Sequence, residues 1–220
     1  MEIITTAAGI EMLLRWGHFL AGITWIGLLY YFNFVQSEYF KVSTAESKHD
    51  VIQHLVPKAI WWFRWAAMGT FLTGVGIMGA RGSGLSIDIY IGALLGTLMF
   101  ANVWLIIWPN QKNMIEWATT ASAGDAPSAE LADGQVKAGL ASRTNTLFSI
   151  PMLFFMGASS HFPHAFNVIA LLIALAVIGA IEFNAIKNQW GLGPMKSVMG
   201  VIHMGLALTV VLVVVLELLT

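Results

Sequence analysis

Six apolar stretches divide this chain, at about 12–36, 60–80, 87–108, 143–160, 165–186 and 198–218, and polar residues gather between them. Each is close to the roughly 20 residues that a helix needs to cross the hydrocarbon of a bilayer. None has the ten-residue alternation of a barrel strand, and backbone polar groups in lipid must be satisfied within the segment. The pattern predicts an all-α polytopic membrane bundle of about six transmembrane helices, forming one domain over 1–220. Connections are short except at 109–142, where Ala, Ser, Gly and Asp cluster around Pro127. That stretch is too polar to insert, so it reads as a cytoplasmic connection, with a short helix after Ser128 as N-cap.

Composition agrees, with 57% hydrophobic and 10% charged residues, against about a quarter charged in a soluble globule. Lysine and arginine set the orientation. With the N-terminus outside, the inner ends and loops carry Lys41, Lys48, Lys58, Arg64, Lys112, Lys137, Arg143, Lys187 and Lys196, and the outer side carries only Arg15 and Arg81. Both termini are therefore predicted on the periplasmic face of a bacterial inner membrane. Glu2 and Glu11 stand where a signal peptide has its basic region, and no small-residue cleavage site follows the first span, so that span is expected to remain as an anchor. Trp61, Trp62, Trp65, Trp104, Trp108 and Trp190 fall near span ends, as an interfacial belt does.

The net charge of −1 and the lack of a basic stripe argue against nucleic acid as a partner. The chain has no cysteine, which excludes disulfides, thiolate metal sites and covalent c-type haem. A cofactor would thus be held by His, Met, carboxylate or backbone groups. No Ser-His-Asp set, P-loop or dinucleotide fingerprint is present. Gly92-x-x-x-Gly96 is a small-residue packing motif, and the methionines, Met68 and Met78 among them, read first as packing.

Six histidines supply the candidate chemistry, because ionisable groups inside a membrane are costly to keep and imidazole is a common metal ligand. His18 lies about two turns into the first span, roughly 10 Å below the outer surface. His161 and His164 sit at the outer turn between spans four and five, so either one is placed to face His18 across an iron. His203 enters from the inner side, where His54 is its plausible partner. These positions predict one haem b, or two, with His18, His161 and His203 as metal ligands, and copper as the less favoured metal. A hydrogen bond to a neighbouring helix is the plainer role for His18 or His203. His49 belongs to a charged surface run. Arg15 is the outer propionate candidate, while Arg64 and Arg143 suit inner propionates, an anionic substrate or lipid headgroups. Asn102 and Asn145 are expected to hydrogen-bond inside the bundle.

Several strings resemble one family, the membrane domain of bacterial membrane-bound urate oxidase (urate hydroxylase). They are Trp16-Gly-His-Phe-Leu-Ala-Gly-Ile-Thr-Trp-Ile-Gly27, Trp61-Trp-Phe-Arg-Trp65 with Phe71-Leu-Thr-Gly74, Trp108-Pro-Asn-Gln-Lys112, and Ser142-Arg-Thr-Asn-Thr146 with Pro151-Met-Leu-Phe-Phe-Met156. Carried over by position, His18, Arg64, Arg143, Asn145 and His161 fall in matching strings. The resemblance implies a helical membrane domain working in electron transfer with a c-type cytochrome. The family's full form carries that cytochrome fused at the C-terminus; this sequence ends at Thr220 after the sixth span, so a separate cytochrome or larger complex is expected in its place. Three roles follow: a haem b electron-transfer subunit, a urate or purine oxidase domain with the anion on Arg64, Arg143 and Asn145, or a cofactor-free structural subunit.

Overall fold

The computed structural model describes residues 2–82, 85–187 and 192–220, and the described residues are almost entirely helical. Six long helical rods organise them. We label them α1 (Ala7–Val42), α2 (Val56–Arg81), α3 (Ile87–Ala118), α4 (Ala129–His161), α5 (Val168–Lys187) and α6 (Val198–Leu219). By length and composition, α1, α3, α5 and α6 are able to cross a membrane. The other two rods are more polar: α2 holds Lys58 and Arg64, and the first turns of α4 are charged.

Local chemistry explains the ends. Thr6 accepts the Gly9 N–H at 3.1 Å, Ser128 that of Leu131 at 3.3 Å, and Ser197 that of Gly200 at 3.0 Å, each satisfying a donor the helix leaves over. Residue Gly82, at φ +64°, stops α2. Three prolines do not stop a helix, and one of them, Pro151, lies inside α4. Pro57 and Pro109 each follow a π-helical turn, Val51–Leu55 and Val103–Ile107, where the widened hydrogen-bond register absorbs a residue without an N–H. Hence α3 runs on to Ala118 and α4 starts at Ala129. The 109–142 stretch, expected to be a connection with a short helix, is instead two helix ends joined by residues 119–128. A third π turn, Tyr31–Gln36, lies within α1.

Helices α3 and α4 form the centre. A stripe at every fourth residue of α3, Ile87, Ile91, Leu95, Met99, Val103 and Ile107, is fully buried with Leu147, Phe148 and Phe155 of α4. The two run antiparallel, and Gly92 and Gly96 receive the side chains of Met156 and Met152. Helix α1 pairs antiparallel with α2, Gly17 facing Thr73 and Gly69 facing Ala21. Helix α6 runs parallel to α4 and touches it most closely at Gly205. Pro151 leaves the Leu147 carbonyl without its helical donor. A Cβ at Gly205 would sit 2.8 Å from that oxygen and 2.6 Å from Ile150 Cδ1. Trp61, Trp62 and Trp65 point outward and are exposed, while Trp190 lies outside the described residues.

Candidate functional site

A groove of about 340 Å³ opens between α1, α4 and the start of α6. Lys41, Arg143 and Lys196 line it, with Asn33, Phe34 and Glu38. The π turn of α1 places Asn33 and Phe34 there. Asn33 Nδ2 donates to the Leu29 carbonyl at 2.9 Å and to Ser142 Oγ at 2.8 Å, fixing the floor. Phe34 stacks on Tyr30 with centroids 4.9 Å apart and offers a flat wall. Arg143 is half-buried and donates from Nη1 to the Met195 carbonyl at 3.4 Å, a long bond that leaves most of its fork free. Lys41 is paired with Glu38 at 2.6 Å on the rim. Cations exceed carboxylates along the groove, which also meets the N-terminus of α6. It is built for an anion.

Arg64 is elsewhere. Its guanidinium carbon lies 3.7 Å from the Trp108 ring centroid and 6.0 Å from that of Trp104, between α2 and α3. Asn145 is elsewhere again, fully buried at the centre of the bundle. It donates to the Met99 carbonyl at 2.9 Å and accepts from Asn102 at 3.0 Å. These bonds satisfy the two asparagines within the protein, as expected of polar groups inside a membrane bundle. The three residues expected to share one anion therefore occupy three separate places, Arg143 in this groove, Arg64 in a recess of its own and Asn145 in the core.

The histidines also separate. His18 faces α2, its Nδ1 3.1 Å from Thr73 Oγ1. Because that hydroxyl donates to the Gly69 carbonyl at 2.6 Å, it accepts from His18. The proton thus sits on Nδ1 and the lone pair on Nε2. His164 is held at the α4–α5 turn by two acids. Its backbone N–H donates to Asp88 Oδ2 at 2.7 Å, and its Nδ1 lies 2.8 Å from Asp88 Oδ1. Its Nε2 lies 3.4 Å from Glu217 Oε1. Burial pulls the His164 pKa down, but the Asp88 and Glu217 carboxylates outweigh it and hold the value above the ordinary one. His161 ends α4 exposed, His203 is exposed on α6, and His54 is exposed beside Asp50 at 3.7 Å. His49 stays in its surface run. Arg15, expected beside a propionate, bonds Glu11 at 2.6 Å, and Arg81 joins the same carboxylate at 3.1 Å.

For a haem iron, His18 fits: a ring fixed through Nδ1 presents Nε2, as metal-ligating histidines do. His164 does not fit, since both of its nitrogens already face carboxylates. Among the described residues, no group of three or more His, Asp or Glu is spaced to hold a metal ion. Sequence reasoning passed over Asp88 and Glu217, although each is an acid at the edge of an apolar run, which is the signal that marked His18. Lys41 and Lys196 were placed on the inner side but not as neighbours of Arg143.

A family model described as "Urate oxidase N-terminal" matches residues 83–217, well over half of the chain. The match includes Arg143, Asn145, His161, His164 and His203, and begins after His18 and Arg64. Comparison with curated proteins and with solved structures gave no match.

Proposed function

Because the chain belongs to the urate oxidase N-terminal family, we propose that it is the membrane-embedded part of a system that oxidises urate or a related purine anion, bound in the Arg143 groove. The observation that carries this reading is the convergence of Arg143, Lys41 and Lys196 on a groove with an aromatic wall. A flat purine anion meets those groups well. Arg143 offers a planar fork to its oxygens, the lysines supply diffuse positive charge, and Phe34 lies along the ring. Electrons leave to a c-type cytochrome or a larger complex. Six crossings with both termini periplasmic put the groove at the cytoplasmic side, a reading supported by the lysine bias. Calorimetric titration of urate into the purified chain tests it. Wild type should bind, and Arg143→Gln should bind at least about tenfold more weakly, the usual loss for a hydrogen bond to a charged group. Equal binding by both, or none by either, ends the reading.

A second reading rests on the His18 tautomer. With Nε2 unprotonated inside a span, His18 is prepared as one axial ligand of haem b, which would supply one-electron transfer toward the outer cytochrome. A pyridine haemochrome assay with parallel metal analysis should give haem in wild type and its loss in His18→Leu. Copper in place of iron, or neither metal, refutes the haem reading; neither metal together with no urate binding leaves a structural subunit.

A further inference from the structure

The recess around Arg64, which the proposed substrate groove does not use, has a volume of about 240 Å³ and walls of Pro57, Ile60, Trp61 and Ile115. We propose that it is a binding site for the phosphate headgroup of one anionic phospholipid, held by Arg64 and Lys112. Arg64 is not a free side chain reaching for solvent. Its guanidinium carbon lies over the Trp108 ring, 3.7 Å from the centroid, with the Trp65 and Trp104 centroids at 5.8 and 6.0 Å, so three indoles hold it in place. Its Nε is buried with no hydrogen-bond partner. Among the described residues no carboxylate pairs with it, since the one acid lining the recess, Glu116, faces Lys112 at 3.5 Å. A fixed, half-buried cation without a counter-charge is costly to maintain. An anion from outside the chain removes that cost.

The surroundings select a lipid over a soluble anion. The walls are mostly aromatic and aliphatic, unlike the polar groove at Arg143. Exposed Trp61, Trp62 and Trp65 continue outward from the recess as a row of indoles. Indoles favour the headgroup level of a bilayer, with acyl chains lying against their neighbours. Lys112 adds a second cation to the lining beside Arg64, and each such cation raises affinity for anionic headgroups. Lipid phosphate and free phosphate share this chemistry, and the experiment separates them.

Native mass spectrometry of the full chain in detergent, titrated with phosphatidylglycerol or phosphatidylcholine, tests the site. Wild type should retain one phosphatidylglycerol in preference to phosphatidylcholine. Arg64→Gln and Lys112→Gln should each weaken that retention about fivefold, while Arg143→Gln leaves it unchanged. Lys112 is exposed, so its variant decides the matter if Arg64→Gln fails to fold. Equal retention of the two lipids, or unchanged retention in Lys112→Gln, overturns the proposal. So does displacement of phosphatidylglycerol by millimolar inorganic phosphate or urate, which would mark a pocket for a soluble anion.

Discussion

His164 meets Asp88 through its backbone N–H and Nδ1, and Glu217 through Nε2. A neutral imidazole has a single ring N–H, so serving both carboxylates requires the imidazolium. The sign of the pH effect follows from the raised value. Stability from this contact is complete below the ordinary histidine value of 6.5 and is lost as pH rises through the higher folded value. The thermal midpoint of the detergent-solubilised protein should therefore fall on the alkaline side of 6.5, and His164→Asn should flatten that part of the profile. Parallel profiles for the two proteins would refute the assignment. The sequence placed His164 correctly at the turn between the fourth and fifth helices. Its acids were invisible there because they lie 76 and 53 residues away along the chain. No local pattern connects them.

At the scale of the helix, apolar runs located all six rods, since hydrophobic length is what a one-dimensional pattern records best. The misplaced boundaries have one cause. Polar composition after residue 108 suggested a loop, whereas the π turn at Val103–Ile107 carries the helix through Pro109. Hydrogen-bond register leaves no trace in hydropathy. The same turns shape function. Asn33 and Phe34 reach the Arg143 groove from the π segment of α1, and Trp108 reaches Arg64 just after that of α3. Position along each helix was legible for the histidines and rotation was not. A helix that is apolar on every side gives no sign of which face meets a neighbour, so His18 met Thr73 and His203 turned outward.

For the whole molecule, the charge bias and the packing agree on two unlike ends. One holds Glu11 between Arg15 and Arg81, with the His164 turn beside Asp88 and Glu217. The other holds both recesses and most of the lysines. Under the proposed orientation the first end is periplasmic. The absence of cysteine gives a clean assay. In intact spheroplasts, an impermeant maleimide should label Ile4→Cys and spare Ala123→Cys until the membrane is opened. The reverse result inverts the orientation and moves the purine groove outside. The cofactor and the electron partner stayed out of reach of the sequence because they depend on which side chains converge, and convergence is set by packing across three or more helices.

The contact between Gly205 and the Leu147 carbonyl has a consequence for how this chain can diverge over generations. Glycines 27, 79, 157 and 179 have nothing within 4 Å of an added Cβ, so drift to alanine costs little packing there. At 205 the obstacle includes main-chain oxygen, which no neighbouring side-chain change removes. A descendant that loses Gly205 must therefore push α6 away from α4, so natural variants should keep glycine at 205 while the other four positions drift.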